Sequence, residues 1–380
     1  MQTDLPVESS GARRPRIVAV DARTLSQTGK GIPRFLFETL RELAAIPTLK
    51  LILFSNRPLH VDNMLPIETV IDERWRKVPG TVWMMARLNR LAAEAGADTL
   101  WGPAHVLPFR TKRLRTVLTV HDLVYRIMPE SMSLWNRCIS RLLVDASIRR
   151  ADRVVADSYS TKADIISSVG LKDGQINVVY LGARKAPRDL LQTPFHTEGR
   201  TEGDDYLFAL GSIEPRKNID GLLNCFNAIR QRVPGVSLRL TGAHSWSSAR
   251  TLERIEDSGF CRILGFLSDR EIAEQMAGAR AFIMPSHYEG FGLPVIEAVD
   301  LAPIVTSDIP VFRELGRFIE GICFVDFSDA ESAADTIAAF LATHPRPAQF
   351  APGAKETFRW KSVAKGYADF FATHEADAKS

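Results

Sequence analysis

Cysteine is scarce in this chain of 380 residues: Cys138, Cys225, Cys261 and Cys323 are widely scattered and form no CxxC pair. That spacing argues against a disulfide framework and a structural zinc site, and it makes a reducing cytoplasm the expected compartment. No apolar run approaches the roughly 18 residues that a membrane-spanning helix needs. The N-terminal stretch MQTDLPVESSGARRP has no apolar segment after its first charges, so it reads as a disordered tail over residues 1–15, not as a signal peptide or anchor. There is no DxD triad to suggest a dedicated divalent-metal site, no short-period repeat and no low-complexity tract. What remains, with 45% hydrophobic and 24% charged residues, is the composition of an ordinary globular protein, long enough for two domains.

The net charge of +3 hides an asymmetry. Residues 1–185 carry a net +10 and the remainder a net −7. A basic half fits nucleic acid, an anionic membrane surface or a phosphorylated substrate, and charge alone does not choose among them.

Short β-branched or aliphatic runs alternate with helical-period segments along the whole chain, the pattern of parallel sheets covered by helices on both faces. Strands are expected at 16–22, 49–56, 97–102, 115–122, 152–158 and 176–182. A second set is expected at 206–211, 236–242, 261–266, 280–286, 303–308 and 322–326. Between the sets, KAPRDLLQTPFHTEGRTEGDD is rich in proline, glycine and charge and lacks apolar periodicity. The expected organisation is therefore an α/β protein of two Rossmann-like domains, at 16–185 and 205–355, joined by a linker at 186–204 and followed by a final helix over 356–380. Ligands of open parallel sheets bind beyond the carboxyl ends of the strands, so the chemistry is sought there, in a cleft between the two domains.

Four segments just after strands carry candidate chemistry. In TLSQTGKGIPRFLFETL, Gly29 and Gly31 precede a helix whose first turn holds Pro33, and such a turn offers backbone N–H groups to a phosphate. The third glycine of a dinucleotide fingerprint is absent, which weakens a nicotinamide-dependent reading. The fourth expected strand ends in His121 and Asp122, suited to a sugar hydroxyl or a developing charge. In GSIEPRKNIDGLL, Pro215 is followed by Arg216 and Lys217 and by Asn218 as a helix cap, a site for a diphosphate or a solvated basic turn. In RAFIMPSHYEGFGLPVIEAV, Glu289 and Glu297 bracket Gly290, Phe291, Gly292 and Leu293, whose glycines allow a ligand close to the backbone.

EGFGLPVIE, preceded by LGSIEPRKN and followed by SDIPVFRE, resembles the retaining nucleotide-sugar glycosyltransferases of family four, and the likeness runs from the glycine turn to the FRWKSVAKGYADFF helix. The resemblance implies a glycosyltransferase-B fold in which the final helix crosses back onto the first domain. It implies that Arg216 and Lys217 neutralise the donor diphosphate, that Glu297 binds the ribose and that the amides from Gly290 to Leu293 contact sugar and phosphate. Glu289 would contact the transferred sugar, His121 would lie near its reactive centre, and RILGFLSD (262–269) would border the base. Lys30 separates two glycines that such families often have side by side. With no DxD triad, the basic pair takes the place of a metal ion, and no cofactor beyond the nucleotide-sugar co-substrate is expected.

The resemblance favours mannose from GDP-mannose and an acceptor that is lipid-linked or a polysaccharide of the cell surface. A nucleotide-sugar epimerase of the same architecture is the alternative; a dehydrogenase or an inert binding module fits less well, and nucleic acid finds no reading motif. The stretch 72–96 interleaves Arg74, Arg76, Lys77, Arg87 and Arg90 with Trp75, Trp83, Met84, Met85 and Leu88. It fits a helix lying on an anionic membrane surface, which would hold the enzyme on the inner face of the cytoplasmic membrane, or equally an amphipathic core helix.

Overall fold

The computed structural model describes residues 14–27, 31–60, 66–109, 114–184, 205–242, 249–343 and 346–372. Gly29, Lys30, the linker at 186–204 and residues 1–13 of the expected tail lie outside them.

The apolar runs form two sheets. In the first, β1 (Arg16–Asp21), β2 (Leu49–Ser55), β3 (Glu68–Ile71), β4 (Thr99–Gly102), β5 (Arg115–Val120), β6 (Arg153–Ala156) and β7 (Ile176–Val178) lie in the order β3-β2-β1-β4-β5-β6-β7. The second contains β8 (Tyr206–Leu210), β9 (Ser237–Thr241), β10 (Cys261–Ile263), β11 (Ala281–Met284) and β12 (Ile304–Ser307). Past β13 (Ile319–Glu320), it is completed by β14 (Ile322–Val325), in the order β10-β9-β8-β11-β12-β14. β13 pairs antiparallel with β15 (Gln349–Phe350). Within the large sheets the neighbouring strands run parallel, as in β1 against β2 and β4, or β11 against β8 and β12. Strands of this kind are buried on both faces, which is why AFIM and LILF read as continuous apolar runs without alternation, and why even Thr306 and Ser307 of IVTS are buried. In each sheet the strand order reverses once, between β1 and β4 and between β8 and β11. Those are the switch points at which α/β folds bind ligands.

Six helices are used below: α1 (Ile32–Leu43), α2 (Leu134–Arg150), α3 (Tyr159–Val169), α4 (Ile219–Arg232), α5 (Leu293–Ala298) and α6 (Trp360–Ala372). Their ends follow local chemistry. Ser158 caps α3 by accepting from Thr161 N, Gly170 closes it in the left-handed conformation, and Asn218 caps α4 by accepting from Gly221 N.

The chain divides into two compact units. One comprises Met1–Pro103, Leu107–Val117 and Ala364–Ser380, the other Ala104–Val106 and Leu118–Val363. In the first unit the C-terminal helix returns to α1 and β4. Tyr367 lies 4.9 Å from Trp101 and 5.9 Å from Phe35 by ring centroid, and Phe371 lies 5.6 Å from Trp101. All four rings are buried, so Tyr367 and Phe371 of the FRWKSVAKGYADFF segment are part of the first unit's core.

Residues 72–96, also in the first unit, correct the membrane expectation attached to them. The segment is broken into a 3-10 turn (Glu73–Trp75), a short helix (Gly80–Trp83), a π turn (Met84–Leu88) and a second short helix (Asn89–Glu94). Trp83, Met84, Leu88 and Ala92 are fully buried, and Trp83 Nε1 donates to Asp72 Oδ2 at 3.1 Å. The apolar side that a bilayer was expected to cover is protein core, so this stretch cannot lie on a membrane with that side. No helix among the described residues is long and apolar enough to cross one.

In the second unit the core of the second sheet is built from Leu207, Leu238, Ile283 and Val305 of the strands with Phe226 and Ile229 of α4.

Candidate active site

The residues singled out for donor chemistry, other than the Gly29–Gly31 turn, fall in the second unit: His121 after β5, Arg216 and Lys217 after β8, the 262–269 segment at β10, Glu289 to Gly292 after β11, and Leu293 and Glu297 in α5. β8 and β11 flank the switch point of their sheet. After β8 the chain enters a 3-10 turn, Pro215–Lys217, and after β11 it runs through Ser286 to Glu289 into the glycine turn and α5. The two loops are tied together by backbone and side-chain bonds: His287 N donates to Arg216 O at 2.8 Å, and Asn218 Nδ2 donates to Pro285 O at 3.0 Å. Asn218 adopts a left-handed φ of 53°, a conformation asparagine tolerates better than most residues, and this lets it both end the turn and cap α4.

That tie brings three charges into contact. Arg216 Nη1 donates to Glu289 Oε2 at 2.8 Å, while Lys217 Nζ and Ser286 Oγ donate to Oε1 at 2.6 and 2.7 Å. Glu289 and Lys217 are 7% and 9% exposed, so this is a desolvated ion pair, whereas Arg216 reaches partly into solvent and also pairs with Glu214 at 2.8 Å. Burial alone would push the Glu289 carboxyl up, but Lys217 and Arg216 together outweigh it and hold it below the usual carboxylate range. Burial pushes the Lys217 ammonium down, against the pull of Glu289, and Arg216 beside it adds to the fall. Two cations therefore share one buried carboxylate. Glu214 beside Arg216 adds a second carboxylate at the partly exposed edge of the cluster.

The glycine turn is pressed against the end of β5. A Cβ at Gly290 would lie 1.7 Å from the His121 carbonyl oxygen, and the Gly290 carbonyl accepts from Ser158 Oγ at 2.6 Å and Thr161 Oγ1 at 3.0 Å. Tyr288 reinforces the join by accepting from Leu123 N at 3.0 Å and donating to Asp164 at 2.9 Å. Glu314 accepts from the N–H groups of Tyr159 and Ser160 at the start of α3, at 2.8 and 2.9 Å. Gly292, at φ 92°, is the N-cap of α5, and a Cβ there would meet the Phe312 ring at 2.7 Å. Phe291 is buried and turns its ring into an aromatic cluster with Tyr180 and Phe358.

His121 is buried with its Nδ1 2.6 Å from Asp157 Oδ2, at the end of β6. Burial pushes the Asp157 carboxyl up and the imidazole opposes it. The other oxygen of Asp157 has no hydrogen-bond partner among the described residues, so the carboxyl is dedicated to the histidine. Two groups were not visible as candidates in the sequence. Asp157 lies inside the strand-like run DRVVADS and gave no motif signal. His105 lies with its ring centroid 5.2 Å from that of His121, and burial, with His121 beside it, lowers it to about 4, which keeps it neutral. Its position after β4, in GPAHVLP, is the signal that would have found it. Asp157→Asn is expected to lower kcat about 100-fold with the donor KM little changed, because an amide can donate to Nδ1 and favour the wrong tautomer. Steady-state kinetics with an unchanged kcat would remove Asp157 as a positioning residue.

Glu297 lies within α5, beyond the glycine turn. It lies 3.4 Å from Arg184, which also pairs with Asp269 at 3.0 Å. Arg184, in the LGAR segment after β7, is a third residue the sequence did not single out. Gly31 is the N-cap of α1 with φ 80° and open space around it; Gly29 lies outside the described residues.

Two family models match the chain. One, described as Glycosyltransferase Family 4, covers residues 30–184, and one, described as Glycosyl transferases group 1, covers 193–357. O-antigen chain mannosyltransferase B of Escherichia coli is 29% identical over 227 residues, 56% of this chain and 58% of that protein. O-antigen chain mannosyltransferase RfbU of Salmonella typhimurium is 26% identical over 229 residues, 60% of each. The match thus spans less than two thirds of either relative. The crystal structure of Anabaena Alr3699/HepE in complex with UDP and glucose superposes with a TM-score of 0.65 at 18% identity, covering 95% of this chain and 100% of that one. With two parallel sheets, the returning C-terminal helix and a family model matched on each half, the chain belongs to the family-four, group-1 glycosyltransferases of glycosyltransferase-B fold.

Proposed function

We propose that this protein is a retaining hexosyltransferase that moves mannose from GDP-mannose to a lipid-linked or polysaccharide acceptor during cell-surface glycan assembly in the cytoplasm. The observation that carries the donor site is the buried Glu289 carboxylate held by Arg216, Lys217 and Ser286 at a switch point of the second sheet. The mannosyl and cell-surface parts of the reading rest on the names of the two enterobacterial relatives.

The chemistry follows from charge. Cleaving the anomeric bond leaves positive charge on the sugar and negative charge on the nucleoside diphosphate, and fixed groups aimed at that charge are the strongest lever such a site has. Arg216 and Lys217 take the departing phosphates, which makes the reaction independent of a divalent cation. Glu289, held ionised, orients the transferred sugar through its hydroxyls, His121 lies near the anomeric carbon with its ring set by Asp157, and the Gly290–Leu293 amides contact sugar and phosphate. Glu297 accepts from the ribose, with Arg184 beside it. A pocket of about 390 Å³ beside the basic turn is lined by Glu130, Glu214, Asp220, Asn218 and His287 among others. Its acids disfavour phosphate, so it suits the neutral, hydroxyl-rich end of an acceptor.

A thermal-shift series with GDP-, UDP- and dTDP-sugars tests the donor, since a ligand raises apparent stability according to its affinity. GDP-mannose should give the largest shift, with transfer unaffected by chelator; a larger shift from a UDP-sugar would replace the donor. Donor turnover without acceptor would replace transfer by epimerisation.

A further inference from the structure

The N-terminal half of α2 exposes an apolar stripe. Leu134, Trp135 and Leu142 are 76%, 73% and 67% exposed, and Cys138 and Ile139 are exposed with them. Residues spaced i, i+1, i+4, i+5 and i+8 lie along one side of an α-helix. The stripe is not a frayed end. Val144 and Ile148, farther along α2, are buried, and Asp145 accepts from Tyr125 Oη at 2.8 Å and from the Arg126 guanidinium. Ser133 caps the helix by accepting from Asn136 N. A rigid helix therefore presents large apolar side chains to solvent, which on a folded surface marks a place that is covered in use.

Charge identifies what covers it. Arg137 and Arg141 flank the stripe, have no ion pair among the described residues, and no acidic residue occurs between Ser131 and Val144. A second copy of the chain packed on this face about a two-fold axis would set these arginines together with no carboxylate to neutralise them. A lipid surface supplies both missing parts: an apolar layer for Leu134, Ile139 and Leu142, and headgroup phosphates for the guanidiniums, with Trp135 at the boundary where its amphipathic ring is favoured. We propose that the N-terminal half of α2 docks the protein on an anionic bilayer surface. The inference does not use the donor-site reading, and it places the membrane contact on a different element from residues 72–96.

Co-sedimentation of the full chain with phosphatidylcholine vesicles, with and without phosphatidylglycerol, tests it. The wild type should partition onto the anionic vesicles, and Trp135→Ser with Leu142→Ser, or Arg137→Glu with Arg141→Glu, should each lower that partition about tenfold or more. Arg74→Glu with Arg76→Glu and Lys77→Glu should leave it largely intact. All four stripe and arginine positions are accessible at the surface, so the variants should melt as the wild type does and keep its nucleotide-sugar thermal shift. No binding by the wild type, or equal binding by wild type and the serine pair, would overturn the proposal. So would a dimer, seen by light scattering without lipid, that the serine pair dissolves.

Discussion

Lys217→Ala is expected to lower kcat/KM about 1,000-fold and to weaken nucleoside-diphosphate binding, while Glu289→Gln lowers kcat about 100-fold without weakening that binding. The two residues touch at 2.6 Å, yet their removal changes the site in opposite electrical senses. On the proposed function, losing the ammonium removes one of two fixed positive groups assigned to the leaving phosphate, and a single such donor is typically worth a factor of 100 to 1,000. It also leaves the Glu289 carboxylate buried with one cation fewer. Breaking a buried pair by removing one partner costs about 3–5 kcal/mol, and because Arg216 and Ser286 still hold Glu289, the loss belongs at the low end of that range. The glutamine instead raises the local positive potential, so the diphosphate is held at least as well while the sugar loses its carboxylate. Steady-state kinetics with calorimetric titration of GDP separate these outcomes. Equal loss of diphosphate affinity in both variants would show that the cluster acts only as scaffold.

Gly290→Ala should destabilise the protein by about 4 kcal/mol and abolish transfer, though the substitution adds a single methyl group. The new carbon would sit 1.7 Å from the His121 carbonyl oxygen, 2.8 Å from its carbon and 3.0 Å from Asp122 Cβ. Two of these are backbone atoms, so no rotamer change relieves the clash, which puts the cost at the upper end for overpacking. The glycine loop must then move away from β5, carrying Glu289 from its cations and breaking the bonds that Ser158 and Thr161 donate to the Gly290 carbonyl. Alanine at Gly31, where nothing lies within 4 Å, meets only the local cost of a left-handed φ, about 1 kcal/mol. Urea unfolding of the two variants side by side checks the contrast; a Gly290→Ala protein as stable as the Gly31→Ala protein would mean that the close approach is not made in solution.

These effects share a cause. The loops that follow the strands hydrogen-bond to one another and to neighbouring helices, so the cluster is held from several directions at once. Tyr288 reaches Leu123 and Asp164, Glu314 reaches the start of α3, and Asn218 reaches Pro285. Side chains fixed in this way are already oriented when substrate arrives, which is the condition for electrostatic stabilisation to act without reorganisation.

Sequence by itself determined the two parallel sheets, because a strand buried on both faces reads as a short run rich in β-branched and aliphatic residues: AFIM, IVTS and RTVLTV could be placed on sight. β3 escaped because ETVI is a half-exposed edge strand. The loop chemistry was legible for the same local reason, since glycine, proline and paired charges stand immediately after strands. Tertiary structure alone decided the partners. Arg216 and Lys217 meet Glu289 across 73 and 72 residues of chain, and His121 meets Asp157 across 36. It also decided which amphipathic segment faces inward. Residues 72–96 and the start of α2 both mix arginine with large apolar side chains, yet Trp83 is buried and Trp135 is bare. Periodicity records that a helix has two faces, and only the packing of distant elements determines which of them is left in water.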